Sequence, residues 1–242
     1  MPSKLVRVID KKIGETPLQA LERFRSEYPE YAHEPMTYAG RLDPMASGKL
    51  LLLVGEECKN KARYLGLDKT YEVEIVFGIN TDSYDILGLP KLGVIKPINP
   101  ADVSWSKYVG KFSQEYPAYS SKTVKGKQLH TLARDNELPE EMPTKEVEIY
   151  SIKVLGKRLI GTSELLDNYV NRINLVKGDF RQNEIKKTWV ELLARLDCVL
   201  SVLTIKVECS SGTYMRSLAD RIGKDLGLGA FALSIKRTKI GN

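Results

Sequence analysis

The sequence predicts an α+β domain, because strand and helix patterns are both present and do not alternate regularly. Residues 71–77 alternate apolar and acidic side chains, as in a half-buried strand, whereas residues 215–226 carry apolar side chains at helical spacing. No internal repeat and no regular βαβ succession is visible, which favours α+β. The 242 residues, 42% of them hydrophobic, suffice for one domain with its own core.

The N-terminal part begins with a strand over residues 4–10 and a helix with clear start signals. Thr16 is the predicted N-cap, Pro17 stands at the first helical position and Gln19 completes a capping box. The stripe expected to pack this helix consists of Leu18, Leu21 and Phe24. The run LLLLV at 50–54 indicates a buried strand, and residues 56–65 a helix that ends at Gly66.

The remaining elements are a strand at 71–77, a turn-rich connection at 87–100, and two further strands at 147–155 and 201–209. Residues 156–200 interrupt the last two strands with a predicted helical pair. Its two apolar stripes are Leu166, Tyr169, Val170 and Ile173, then Trp189, Leu192, Leu193 and Leu196. A final helix spans 215–226 and is closed by Gly227.

The cysteines and histidines are too few and too scattered for several kinds of chemistry. Three cysteines without a CxxC pair indicate a reduced, cytoplasmic compartment, and two histidines 97 residues apart do not supply a zinc site or a nucleophilic triad. The N-terminus lacks an apolar signal region, and no apolar run approaches the roughly 20 residues that span a bilayer. Any catalysis is therefore expected from carboxylate, Tyr, Lys and Arg side chains.

The chain is basic, with a net charge of +6 and a pI near 9.0. Such a surface favours a polyanionic partner such as nucleic acid, although the same charge also serves solubility. The distribution is uneven, because residues 116–134 hold three lysines and one arginine and no acid.

Asp43 is the main candidate for a reactive group. It lies before Pro44 and the buried strand, and Gly40 and Gly48 permit tight backbone turns around it. Such a setting directs a short carboxylate from a loop beside the core. An Asp before Pro is also a common turn-former, and the local pattern alone leaves both interpretations open.

Five blocks, in the same order, resemble the motifs of the TruB family of pseudouridine synthases. GRLDPMASGKLLLLVGE resembles its G-x-LDP-x-A-x-G-x-L-x-x-x-x-GE signature. The other four are DKKIGET, KTYEVEIVFGINTDSYDILG, PAYSSKTVKGKQLHTLAR and VECSSGTYMRSLADRIGKDLGLGAFALSIKRTKIG. Together they cover most of the chain outside 156–200.

The resemblance implies a mixed, mainly antiparallel sheet flanked by helices, and a defined reaction. Uridine 55 in the T-arm of tRNA would be isomerised to pseudouridine by an enzyme with no cofactor and no metal, and nothing in the sequence demands more than a monomer. The family's catalytic aspartate falls on Asp43, a nucleophile that attacks the uracil ring or the ribose anomeric carbon while the glycosidic bond breaks. The base then turns and rejoins through C5.

The same resemblance assigns substrate contacts. Tyr71 matches a tyrosine that stacks on the flipped base, although an inward tyrosine on an alternating strand is more often a core residue. Arg216 matches an arginine that pairs with the catalytic carboxylate, although an arginine in the first turn of a helix is more often a surface charge. Tyr214 and Ile235 match residues that line the uracil pocket.

Two further matches and several departures complete the comparison. Lys11 matches a family lysine that contacts RNA or the active-site loop, and Tyr38 stands where bacterial members usually have histidine. Lys12, Thr123 and His130 also depart from the pattern. The segment SSGT at 210–213 is interpreted either as a phosphate cradle or, more simply, as a helix start capped by Thr213.

The predicted organisation is a single catalytic domain over 1–242 that carries a helical insertion at about 156–200 and has no C-terminal PUA domain. The insertion either grips tRNA or packs against the sheet, and its two apolar stripes favour packing. A catalytically silent RNA-binding protein on the same scaffold remains the alternative function. The combination of Asp43, Tyr71 and Arg216 favours the enzyme, because a binding protein needs no reactive carboxylate.

Overall fold

The computed structural model describes residues 4–241. Two predictions extend beyond these residues: the absence of a signal region includes Met1–Ser3, and the predicted domain ends at Asn242. Those four residues lie outside the described part of the chain. The described strands are β1 (Lys4–Lys11), β2 (Met36–Ala39), β3 (Ala46–Gly55), β4 (Lys69–Phe77), β5 (Ile79–Thr81), β6 (Pro90–Leu92), β7 (Gly110–Glu115), β8 (Thr123–Val124), β9 (Lys127–Gln128), β10 (Thr144–Gly161), β11 (Val199–Cys209) and β12 (Ala230–Ile240). The described helices are α1 (Pro17–Glu27), α2 (Lys61–Leu65), α3 (Leu129–Arg134), α4 (Thr162–Ile173), α5 (Gln182–Leu193) and α6 (Met215–Asp225).

One large sheet organises the molecule. Seven of its eight strands follow the order β1-β3-β12-β4-β11-β10-β7. The eighth strand, β2, pairs with residues 51–54 of β3. All pairings in it are antiparallel except the short parallel contact between β12 and β3. This confirms the α+β class with a mixed, mainly antiparallel sheet.

The N-terminal predictions are confirmed apart from two details. Thr16 accepts a hydrogen bond from the Gln19 amide and the Gln19 side chain accepts one from the Thr16 amide, so the capping box is present. Leu18 does not belong to the buried stripe, because it is 57% exposed and Ala20 faces the core instead. The predicted helix at 56–65 is a 3₁₀ turn over residues 56–60 followed by the short α2, and Gly66 ends it in a right-handed conformation.

The predicted limits of the helical pair need correction. Strand β10 continues to Gly161, which lies opposite Val199 of β11, so residues 156–161 extend the sheet and α4 starts at Thr162. The extension has a physical reason, since each added residue of β10 finds a backbone partner on β11. Leu165, absent from the predicted stripe, is fully buried, whereas Leu166 and Val170 are partly buried.

The central strand β12 was not predicted. It lies between β3 and β4 and carries Ile235 opposite Ala46 on one side and Val73 on the other. Its N-terminal half is buried on both faces and therefore lacks the alternation that marks a half-exposed strand. At Gly48, with φ +97, an added Cβ would lie 2.2 Å from the Arg237 carbonyl oxygen, so only glycine permits this close approach.

Helices cover both faces of the sheet. In β3, Leu50, Leu52 and Val54 pack against α1, whereas Leu51 and Leu53 face the opposite side, which explains why the run 50–54 is apolar throughout. Helix α6 packs on the cluster that contains Val73, Ile75 and Phe77 of β4.

The helices α4 and α5 pack on the sheet beside Val202, Phe231 and Leu233. Trp189 is fully buried, lies 5.4 Å from the ring of Phe231 and donates its indole N–H to the Gly88 carbonyl. The apolar stripes of the helical pair therefore face a core, as their spacing favoured. None of the helices within residues 4–241 has the length and apolar composition that crossing a membrane requires.

Candidate active site

Asp43 lies in the turn between β2 and β3, where the local sequence placed it. Gly40 has φ +78, and the Asp43 carbonyl accepts the Ala46 amide at 3.0 Å, so the turn is closed directly before β3. The neighbouring Pro44 carbonyl accepts the Gly14 amide, which fixes the turn from the other side. The Asp43 side chain is 36% exposed and is thus accessible from solvent.

Arg216, from the first turn of α6, holds the Asp43 carboxylate. Its Nε donates to Asp43 Oδ2 at 2.7 Å, while its two terminal nitrogens donate to the carbonyls of Ser83 and Tyr119. The guanidinium is 3% exposed, so it is not a surface charge. Burial lowers the pKa of Arg216, but the nearby carboxylates of Asp43 and Asp85 outweigh burial and raise it overall.

Asp85 is a second, deeply buried carboxylate at the same arginine, and the sequence analysis did not single it out. Its Oδ2 lies 3.7 Å from Arg216 Nε, and its Oδ1 accepts the Ser83 hydroxyl and the Leu87 amide. Burial raises the pKa of Asp85, and the charge of Arg216 opposes the rise. Asp85 therefore contacts the guanidinium on its buried side, whereas Asp43 contacts it on the side that faces solvent.

Arg237 of β12 is another functional candidate that the sequence analysis missed. It is 1% exposed and donates to the carbonyls of Gly40, Arg41 and Lys49, which lie on both sides of the Asp43 turn. Its guanidinium also lies close to Tyr71, whose pKa is raised by burial while the positive charge of Arg237 opposes the rise. A fully buried arginine cannot be distinguished from a surface arginine by its sequence position, so no signal was available.

Lys11 contacts the loop that carries Asp43. Its side chain is 1% exposed, and its ammonium donates to the carbonyls of Lys12, Glu15 and Pro44. Burial lowers the pKa of Lys11 to about 8, with Glu15 and Asp43 acting in the opposite direction. The ammonium is occupied by backbone oxygens, and Lys11 lines neither of the two cavities at Asp43.

The first of these cavities, the Tyr71 cavity, has a volume of about 360 Å³. Asp43, Tyr71, Tyr214 and Ile235 line it, so the structure brings together four of the predicted site residues. Tyr71 belongs to the main core cluster as well, and its buried ring forms part of the cavity wall. Tyr71 is therefore a core residue, as its strand position favoured, and it also lines the cavity; its stacking on a base stays a prediction.

Tyr214 immediately precedes α6 and is the N-cap residue, which corrects the prediction for Thr213. The Thr213 hydroxyl donates to the Ser210 carbonyl rather than capping the helix, and the Gln114 side chain accepts the Tyr214 amide. The ring of Tyr214 packs edge-on against Tyr116 at 5.7 Å. Burial, followed by the nearby charge of Asp43, raises the pKa of the Tyr214 hydroxyl to about 12.

The second cavity, the Arg181 cavity, has a volume of about 340 Å³ and adjoins the first. Both are lined by Asp43, Arg41, Leu42, Ser120 and Ser121. Tyr38 lines the Arg181 cavity and not the Tyr71 cavity, with the ammonium of Lys61 5.3 Å from its ring centre. The exposed Leu18 lines it too.

Residues 116–134, the basic hairpin segment, form one side of the site. They comprise β8, β9 and α3, and Ser120 and Ser121 of this segment line both cavities. Lys122 lies 5.1 Å from the Tyr116 ring, Lys125 is exposed at the hairpin turn, and Lys127 pairs with Glu137. His130 lines the Arg181 cavity, and its Nδ1 forms a hydrogen bond with the Ser120 carbonyl at 3.1 Å. Within residues 4–241, no three His, Cys, Asp or Glu side chains cluster as metal ligands do.

Known structures share this fold. The chain superposes on a chain of a Cbf5–Nop10–Gar1 complex with a TM-score of 0.58, at 18% identity, over 98% of its own length and 48% of the other's. An H/ACA ribonucleoprotein bound to a substrate RNA that contains 2′-deoxyuridine gives a TM-score of 0.53 at 17% identity, over 98% and 47%. At these identities the likeness defines the fold class.

Sequence relatives define the family. Residues 31–164 match the TruB family pseudouridylate synthase (N terminal domain) model. The tRNA pseudouridine synthase B of Caldicellulosiruptor saccharolyticus is 30% identical over 238 residues, 98% of this chain and 67% of the relative. That of Xanthomonas oryzae pv. oryzae is 30% identical over 96% and 62%, and that of Protochlamydia amoebophila 29% over 99% and 76%. The chain belongs to the TruB family of pseudouridylate synthases, and it spans 62–76% of the length of these three relatives.

Proposed function

We propose that this protein isomerises uridine 55 in the T-loop of tRNA to pseudouridine, with Asp43 as the nucleophile. The observation that carries the proposal is the 2.7 Å ion pair between Arg216 and Asp43 beside a cavity lined by Tyr71, Tyr214 and Ile235. The relatives named tRNA pseudouridine synthase B support the substrate class. We expect a monomer that acts in the cytoplasm on the T-arm stem-loop.

The geometry supplies what the first step needs. Arg216 uses Nε for Asp43 and its other nitrogens for backbone carbonyls, so the carboxylate is held in a fixed orientation. An extruded uridine placed in the Tyr71 cavity has Asp43 at the cavity's edge and aromatic walls beside its base. Attack on the uracil ring and attack on the anomeric carbon use this same carboxylate.

The rest of the reaction needs confinement more than additional catalysts. After the glycosidic bond breaks, the free base must turn and rejoin through C5 before it escapes. Tyr71, Tyr214 and Ile235 are largely buried and form fixed walls, so they keep the base beside the sugar. The overall change is an isomerisation, which consumes no water and transfers no electrons.

The test is the Asp43→Asn variant with unmodified tRNA labelled with tritium at C5 of uridine. Pseudouridine formation releases this tritium, so we expect release by the wild-type protein and a loss of at least about 10³-fold in the variant. Binding to tRNA should stay within a few-fold, because phosphate contacts elsewhere dominate affinity.

Asp167→Asn, at an exposed carboxylate on α4, is the matched control and should keep full activity. Substantial turnover by Asp43→Asn would exclude the nucleophile. Tight tRNA binding by a wild-type protein that never releases tritium would instead favour the silent RNA-binding alternative.

A further inference from the structure

The loop between α4 and α5 reaches the Asp43 site, although the two helices pack on a different part of the sheet. Asp179, Phe180 and Arg181 of this loop line the Arg181 cavity. The Arg181 guanidinium lies 4.1 Å from the centre of the Tyr119 ring, and its Nη1 pairs with Asp82 at 3.0 Å. The helical pair is thus connected to the basic hairpin segment directly beside the reactive carboxylate.

A second contact holds the same loop in place. Arg134 of α3 pairs with the Asp179 carboxylate at 3.1 Å and also donates to the Asp179 carbonyl. Phe180 packs its other side on the core cluster of the helical pair. Phe180 therefore belongs both to the cavity lining and to the packed side of the helical pair.

The Arg181 cavity has the size and position for a second nucleotide. Its volume of about 340 Å³ nearly equals the 360 Å³ of the Tyr71 cavity, and Asp43 lies at the boundary of both. Consecutive nucleotides are joined by one phosphate. A neighbour of a uridine held in the Tyr71 cavity is therefore delivered to the mouth of the adjoining cavity.

The chemistry of the lining also fits a nucleotide. Tyr38, Tyr119 and Phe180 offer aromatic surfaces, on which bases of single-stranded RNA stack irrespective of their identity. Arg41 lines the cavity, is exposed and forms no ion pair within the described residues, so its charge is available to a phosphate.

We propose that the Arg181 cavity binds the base of the nucleotide adjacent to the reacting uridine, and that the helical pair supplies Phe180 as the wall against which this base rests. The inference rests on the proposed function, because it presumes that the reacting uridine occupies the Tyr71 cavity. It gives the helical pair a role in substrate binding in addition to its packing.

The experiment combines variants with modified substrates. T-arm stem-loop RNAs lacking the base immediately 5′ or immediately 3′ of the target uridine are compared with the complete stem-loop. For the wild-type protein, we expect one of the two abasic RNAs to lower kcat/KM about tenfold. For Phe180→Leu, we expect kcat/KM with the complete RNA to be about tenfold below the wild-type value. Removal of the same base should then lower kcat/KM of this variant by less than about twofold.

Phe180→Leu retains an apolar side chain for the core contact but lacks the flat ring, and Phe180→Ala is measured in parallel. Val190→Ala, on the exposed side of α5, is the control and should respond to the abasic RNAs as the wild-type protein does. Equal losses in the wild-type and both Phe180 variants with each abasic RNA would overturn the subsite.

The equilibrium dissociation constant Kd is measured for the same proteins with the same complete and abasic RNAs. If the wild-type protein converts no uridine in the complete stem-loop, the proposed function fails, while coupling between Phe180 and the neighbouring base in binding still supports the subsite. Absence of coupling in both kcat/KM and Kd refutes it.

Discussion

At the scale of single residues, the site is a group of three charged side chains, of which only Asp43, the proposed nucleophile, is accessible. Arg216 and Asp85 are almost fully buried, and Asp43 occupies the solvent side of the same guanidinium. If Asp43 bonds to substrate, Arg216 still has the Asp85 carboxyl group 3.7 Å from its Nε and the two backbone carbonyls on its other nitrogens.

Tyr71→Leu should slow the reaction far more than it weakens tRNA binding. The flipped base is a small part of the RNA footprint, and stacking on one aromatic ring is worth about 1–3 kcal/mol. Single-turnover rates and Kd values measured together test this. Tyr169→Leu, at a buried tyrosine of the other core cluster, should lower the melting temperature and leave the rate unchanged. If Tyr71→Leu lowered the melting temperature but left the single-turnover rate unchanged, Tyr71 would have only a core role.

Lys11 should make stability depend on alkaline pH. Its native pKa of about 8 lies below the ordinary 10.5, so between these values the unfolded chain binds more protons and stability rises with pH. The contribution is at most about 3 kcal/mol. Urea unfolding at about pH 7.5 and about pH 9.5, either side of the native pKa, should therefore show a larger gain for the wild-type protein than for Lys11→Met.

Other titrating groups are common to both proteins of this comparison and cancel in the difference. Lys91→Met, at an exposed lysine, should keep the wild-type gain. Equal gains for the wild-type protein and Lys11→Met would show that the ammonium is not destabilised by burial.

Motif positions could be predicted for single residues, and the resemblance also implied the pair of Arg216 with Asp43. The partners of Arg237 and Arg181 could not be predicted. The sequence indicated Asp43, Tyr71 and Arg216 because each belongs to a short, ordered motif. Arg237 and Arg181 act through carbonyls or rings that lie far away along the chain, and nothing local to them indicates burial or contact. Only the packed sheet shows that these two arginines are not surface charges.

At the scale of elements, the basic hairpin segment is the part whose charges should respond to salt. The triple variant of Lys122, Lys125 and Lys127 to Ala should flatten the slope of log affinity against log salt by about 0.7–0.9 for each phosphate that these lysines neutralise. Filter binding of tRNA over a series of salt concentrations measures the slope.

The matched control removes the same charge from Lys91, Lys96 and Lys187, which are exposed and line neither cavity. It should retain the wild-type slope. If the hairpin variant also retains it, RNA does not pass over this segment.

Strands with one solvent-exposed face could be predicted from their alternating pattern, whereas strands that are buried on both faces could not be predicted as well. Residues 71–77 alternate because Glu72 and Glu74 remain partly exposed. The run 230–235 of β12 has no such alternation, and residues 156–161 became strand only because β11 offers a partner of matching length. Both segments are strands because they pair with neighbouring strands of the sheet, and no local sequence pattern encodes that pairing.

At the scale of the whole molecule, the helical pair is part of the core that it covers. Replacing residues 162–198 by an Asn-Gly turn would join Gly161 to Val199, which already face each other, and so close the β10–β11 hairpin. We expect this protein not to fold, because it exposes Phe231, Leu233 and their neighbours. Each large apolar side chain is worth about 1.5–3 kcal/mol, against a total stability of about 5–15 kcal/mol.

Circular dichroism and thermal melting measure the outcome. Val190→Ala, which leaves the helical pair in place and changes only its exposed side, should melt as the wild-type protein does. A cooperative melt of the deleted protein within a few degrees of the wild type would contradict the packing argument and make the pair a separable attachment.

The place of β12 in the sheet also bears on how the protein is made. The strand joins β3, which follows the Asp43 turn, to β4, which carries Tyr71 and pairs with β11 ahead of Arg216. The ribosome delivers β12 after all these elements. Until translation has passed residue 240, Asp43 and Arg216 follow two groups of strands that β12 has not yet joined, so we expect no pseudouridine formation before this strand is made.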